Sequence, residues 1–219
     1  SAVLAAGGAG GAFGQAKPPP RAPPPPPLPP QELSINDYAM FGRMNFTAAD
    51  SFDVTLGDPG GNILGGGARV GLPLGPLFVD VGAWTFEGTG ERVFVHNGQE
   101  FPLGIPLEVT ITPLGISGGW NFPLRALPKL VPYVMGGYTS YRYEETSTFA
   151  TADENVDERF SGYHLGGGAE FRIMRWLGVA GEVLWTTVPD ALGDGGVSAE
   201  FEETNLGGTS FRFKVTFGR

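Results

Sequence analysis

Thr209-Ser210-Phe211-Arg212-Phe213-Lys214-Val215-Thr216-Phe217-Gly218-Arg219 closes the chain with an aromatic or aliphatic residue on every odd position from 211 to 217 and a polar one between. Successive side chains of a strand point to opposite faces, so this segment reads as a strand with one greasy face and one wet face. A soluble sheet can carry the same alternation. What separates the two readings is the company this strand keeps.

Upstream, periodic or apolar stretches bounded by turn residues fall at 38–46, 62–72, 77–87, 107–122, 131–143, 161–173, 178–188 and, last, 205–217. Eight is the smallest common strand number for a closed membrane barrel. The connections alternate: 72–77, 123–130 and 173–178 are short, whereas 47–61, 88–106, 144–160 and 189–204 are long. Short turns at one rim and long loops at the other are what a membrane barrel shows. With residue 87 counted among them, the long connections hold 17 of the 23 Asp and Glu residues but only Arg92 and Arg159 as bases, so one rim is strongly acidic. Trp120, Phe122, Tyr133 and Trp176 fall near the short turns, and Tyr141, Tyr143 and Trp185 toward the long loops, as two interfacial girdles require.

Composition agrees. The 219 residues suit one β-domain, and 36 Gly with 20 Pro argue against a helical protein. No run of 18 apolar residues offers a spanning helix, whereas a barrel hides its membrane signal in short segments. The absence of Cys removes disulfides, thiolate metal sites and a lipid anchor on sulfur. Residues 1–16 look like the remnant of a signal peptide, with a flexible Gly/Ala tail as the competing reading. Residues 17–37 form a Pro-rich linker; ten prolines in 17–30 impose an extended polyproline helix of about 40 Å at ~3.1 Å per residue. The barrel is then expected over 38–219.

Period-two counting divides the strands between lipid and lumen. With Phe211, Phe213, Val215 and Phe217 outward, Arg212 and Lys214 point in; the same counting turns Arg69, Asp80, Glu108, Arg142, His164, Glu170, Arg172 and Glu182 inward, with Arg43 a further candidate. Leu107, Val109, Ile111, Tyr141 and Tyr143 are expected to face out. Pro113 lacks a ladder donor and the apolar parity switches after it, which predicts a bulge there. Acids and bases nearly balance in this inward set. A bore of eight strands is just wide enough to be filled by side chains, so paired charges should plug it. In the loops, Glu144, Glu145, Asp153, Glu154, Asp157 and Glu158 are candidate oxygen ligands for a divalent cation bridging to anionic lipopolysaccharide, although no loop has EF-hand spacing.

The strand pattern over 38–219 and the terminal segment Ser210–Phe217 resemble the small outer-membrane β-barrel superfamily, the OmpA/OmpX/OmpW-like and opacity-protein-like surface antigens. The resemblance implies eight antiparallel strands, both termini in the periplasm, loops at the surface of a Gram-negative-type cell, and a terminal signal (Phe211, Phe213, Val215, Phe217) read by the barrel-assembly machinery. Gly218 and Arg219 extend past the aromatic on which the family commonly ends. The function read from this is a non-enzymatic surface or envelope anchor, a monomer without cofactor. It would contact lipid, lipopolysaccharide and, through the Pro-rich arm, the cell wall. The alternatives are a narrow porin, a soluble calycin-like barrel, and a lipid A-modifying enzyme. The last would need a His and a Ser in hydrogen-bond reach near the lipid face, and the chain has only His96 and His164. A net charge of −9 disfavours nucleic acid.

Overall fold

The structure, a computed structural model, describes residues 33–73, 75–96, 99–147, 155–193 and 196–218. Eight antiparallel strands run β1 Ser34–Phe46, β2 Gly60–Gly71, β3 Leu77–His96, β4 Gln99–Asn121, β5 Leu130–Ser147, β6 Val156–Arg172, β7 Leu177–Thr187 and β8 Gly208–Gly218. Each pairs with its chain neighbour and β8 returns to β1, from Asn36↔Gly218 to Phe46↔Gly208, so the sheet closes and leaves no edge. Two short helices, α1 Ala49–Leu56 and α2 Gly196–Glu200, lie in the β1–β2 and β7–β8 connections. The leader and most of the Pro-rich arm (residues 1–32) lie outside the described residues.

The odd residues of β8 face outward as the terminal alternation predicts. Phe211, Phe213 and Phe217 are exposed, and Lys214 is buried in the bore. Phe41, Leu64, Val81, Leu114, Ile116, Val134, Leu165, Val183 and Trp185 continue this apolar belt around the cylinder. Each strand contributes four or five outward positions to it before the exterior turns polar at Arg43, Asn62, Glu87, Thr112, Arg142 and Arg159. Nine residues at ~3.3 Å each, tilted by about 40°, give a band about 23 Å tall, against about 25 Å for a membrane barrel.

Above the belt β3 to β6 run on, so that residues expected in loops at 88–96 and 99–106 form a long hairpin instead. In this crown the polarity of the two faces inverts. Leu107, Val109, Ile111 and Tyr141, expected outward, are buried inside, and Tyr143 packs beside them. The exterior there meets water rather than hydrocarbon, and the apolar residues have crossed to the other face.

The expected bulge at Pro113 is absent. The β4–β5 register is unbroken from Leu107↔Ser147 to Asn121↔Tyr133. On the other side pairing lapses opposite Pro113 and resumes at Phe86↔Ile111 in the same register as Ala83↔Leu114. A missing donor interrupts a ladder without needing an extra residue. The register shift on β3–β4 lies higher, between Glu91 and Val93. Tyr133, expected in a girdle, also points in and is buried; Trp120, Phe122 and Trp176 at the short-turn end and Trp185 at the long-loop end stay exposed, as girdle residues must.

Candidate functional site

Cross-strand rows assemble the bore. Arg69 of β2 sits opposite Asp80 of β3, and its Nε donates to Asp80 Oδ2 at 3.0 Å. On the far wall the row Tyr133, Gly168, Glu182, Arg212 runs across β5 to β8. Because Gly168 carries no side chain, Tyr133 reaches over it and its hydroxyl donates to Glu182 Oε2 at 2.9 Å. The Glu182 carboxylate is fully buried. Lys214 Nζ lies 2.7 Å from Oε2, Arg212 Nη1 3.6 Å from Oε1 and Arg69 Nη2 3.9 Å from Oε2. Two of these are charge proximity rather than hydrogen bonds, since Arg69 Nη2 and Glu182 Oε1 have no hydrogen-bond partner.

Aromatic faces hold the same cations: Arg69 lies 4.2 Å from the ring centres of both Phe78 and Tyr133, and Lys214 lies 4.3 Å from that of Tyr38. Tyr38 in turn donates to Asp80 Oδ1 at 2.8 Å. It lies across the row Tyr38, Gly67, Gly82, where a Cβ at either glycine would collide with its hydroxyl. The repeated glycines therefore make room for inward aromatics that bind charge.

His164 also points inward. Its Nε2 lies 2.7 Å from Ser117 Oγ and its Nδ1 2.7 Å from Thr139 Oγ1. A serine is within reach, but the group on the other ring nitrogen is a threonine hydroxyl rather than a carboxylate, and the three are buried in the bore, away from lipid. The His96 side chain lies outside the described residues.

Above this charged layer the bore is apolar. Met44, Phe46, Phe86, Ile111, Val188 and Leu206 are all nearly inaccessible, and α1 lays Phe52 on top of them, with the Phe46 and Phe52 rings stacked 4.0 Å apart. Nothing on the Ala48 side chain caps α1; Glu203 of the β7–β8 connection does so instead, accepting from the Ser51 amide at 2.9 Å, the Asp50 amide at 3.2 Å and the Ser51 hydroxyl. Two cavities beside the charged side chains measure about 30 and 10 Å³. At most a few water molecules fit in them.

Of the inward set read from the sequence, Arg69, Asp80, His164, Glu182, Arg212 and Lys214 meet in this layer. Glu170 and Arg172 pair at 3.4 Å in the short-turn mouth, where Arg172 is more than half exposed rather than enclosed. Three expectations need correction. Arg142 projects outward and grips Asp157 at 2.9 Å and Glu144 at 3.0 Å; Glu108 is exposed on the outside of the crown; and Arg43 faces out to pair with Asp58 at 2.6 Å. All three lie above the belt, where outward charge is solvated, and the parity error follows from treating the crown as membrane.

Among the candidate loop ligands, Glu144 and Asp157 are taken by Arg142, Glu145 lies 3.9 Å from Arg92, and Asp153 and Glu154 lie outside the described residues. No group of three or more metal-ligating side chains forms among the described residues. Sequence reasoning misses both tyrosines of the bore, Tyr133 because an aromatic near a strand end reads as girdle and Tyr38 because nothing assigns it a face; the glycines directly across the strand are the available signal.

No protein-family model matches the sequence, and no curated protein does either. Among solved structures, the chain is similar to a major outer membrane protein from Thermus thermophilus, at 13% identity and TM-score 0.53 over 86% of this chain and 100% of that one. The fold is that of an outer-membrane β-barrel. The barrel is also similar to the N-terminal β-barrel domain of Pseudomonas aeruginosa OprF (12% identity, TM-score 0.47, 85% of this chain and 97% of that one) and to Neisserial surface protein A (10%, 0.45, 85% and 94%), at scores too low to add weight. The barrel's own apolar belt seats it in a bilayer, which a closed sheet, unlike an open one, can face with its backbone groups paired. An eight-stranded, even-numbered antiparallel barrel of this kind belongs to the outer membrane of Gram-negative-type bacteria.

Proposed function

We propose that the chain is a non-enzymatic envelope anchor: a barrel sealed against solute flow that holds an acidic crown above the membrane. The observation that carries this is the double filling of the bore, first by the Glu182 ion-pair layer and then by the apolar plug beneath α1. A porin needs a continuous wet path, and cavities of about 30 and 10 Å³ beside the charged layer argue against one. The short-turn end, where both strand termini lie, faces the periplasm, so residues 17–37 reach toward the cell wall. The crown faces outward beside lipopolysaccharide, the barrel works as a monomer, and Phe211, Phe213, Val215 and Phe217 serve the barrel-assembly machinery. Single-channel recording in planar bilayers tests the seal. A silent membrane with folded protein present is expected, and steady openings would overturn the reading.

A further inference from the structure

Four apolar side chains pack on the plug yet stay partly open: Leu56, Tyr143, Phe160 and Leu192. They come from four different elements or connections, and all four line one crevice of about 480 Å³ in the crown. That volume lies within the range of small-molecule pockets, ~300–1,000 Å³. Further apolar walls come from Leu103 and Val109 of β4 and Val197 of α2. The polar groups are few. Glu145 accepts from the Tyr143 hydroxyl at 3.2 Å and lies 3.9 Å from Arg92; Glu158 is exposed and has no ion-pair partner among the described residues. Two carboxylates face one guanidinium, so the crevice is negative as well as greasy.

We propose that this crevice is a binding site for small amphipathic monocations, molecules with an aliphatic or aromatic body and an ammonium head. The body covers the open faces of Leu56, Phe160 and Leu192, which otherwise remain in water. The head meets Glu158 and Glu145. An anionic amphiphile of the same length would bring its charge against these carboxylates, and a neutral one would forgo the attraction, so charge sets the preference. The site belongs to the crown and does not require the bore to be shut.

The test uses the full chain in lipid nanodiscs with Leu and Val methyl groups labelled for NMR. Hexyltrimethylammonium is the probe, short enough to limit partition into the bilayer; hexanesulfonate and hexyl glucoside are the comparators. Saturable shifts confined to crevice methyls such as Leu56, Leu103, Leu192 and Val197 are expected. The double variant E145Q/E158Q should weaken the ammonium about tenfold and leave the glucoside unchanged. Leu192→Trp, which fills the crevice, should abolish both, and a wild-type spectrum for the belt methyls serves as its folding control. Equal affinity for cation and anion, shifts centred on belt residues, or full binding by the Trp variant would each overturn the proposal. Channel recording on the same protein in planar bilayers keeps the two readings apart, since an open bore would sink the anchor reading alone and absent ammonium binding would sink the crevice alone.

Discussion

At the scale of single residues, Glu182 decides whether the bore is tolerable. Three cations, Arg69, Arg212 and Lys214, reach it, and Asp80 is the other carboxylate in their layer. Removing one partner of a buried pair leaves uncompensated charge, at about 3–5 kcal/mol. Glu182→Gln should therefore lower the unfolding free energy of the barrel folded into liposomes, measured by urea titration, by an amount of that order. The double change Glu182→Gln with Lys214→Met should recover much of it, because removing one cation along with the carboxylate returns the net charge of the layer to its original value. If Glu182→Gln is silent, the ion-pair layer is not what holds the bore together. A glycine makes the complementary case. Gly82→Val should destabilise by pushing the Tyr38 hydroxyl off Asp80, and Tyr38→Ala in the same chain should make the valine nearly harmless. Additive effects in that cycle would contradict the packing of Tyr38 across the glycine row.

Among the elements, α1 is the least expected and the most dependent on others. Its apolar positions Phe52 and Leu56 sit one turn apart and dock on the plug, while its first-turn amides rely on Glu203, at the far end of the barrel sequence. Nothing in the segment itself announces that cap, and this is why residues 47–61 read as a solvated loop. Glu203→Ala should cost about 1 kcal/mol, the usual value of a lost cap, and should speed amide exchange at Phe52 and Gly57 without changing the belt strands. Exchange unchanged in that variant would mean that packing alone holds the helix. The other end of this connection answers to pH. A hydrogen bond from Arg43 holds the Asp58 carboxyl below its ordinary range, and Asp58 also accepts from the Gly60 amide. Since the folded value is depressed, the contribution is complete above the unfolded pKa of roughly 3.9 and fades as pH falls through the folded one. Carboxyl NMR should show Asp58 titrating low in the wild type and rising toward its ordinary range in Arg43→Gln, with the Gly60 amide still holding it somewhat down.

For the whole molecule, the period of two was legible throughout and the solvent on each side was not. Strand number, order, the short and long rims, and the inward turn of Arg69, Asp80, His164, Glu182, Arg212 and Lys214 all follow from alternation plus turn residues. The errors at Glu108, Arg142 and Tyr141 share one cause: alternation says which residues lie on the same side, and only the height along the strand says whether that side meets lipid, water or core. The switch from Leu107, Val109 and Ile111 to Leu114, Ile116 and Trp120 was visible, and it marks the membrane surface rather than a bulge. This yields a test by charge at fixed register. Val183→Lys puts an ammonium on the belt and should cost about 2–4 kcal/mol near the midplane. Val109→Lys puts one inside the crown among Leu107 and Ile111 and should be comparably harmful, since burying an unpaired charge costs several kcal/mol. Glu108→Lys, one residue away but facing water, should fall within about 0.5 kcal/mol of the wild type. Urea midpoints of the three variants in liposomes measure all of this, and if Glu108→Lys were the damaging member of the adjacent pair, the inversion of faces above the membrane would be refuted.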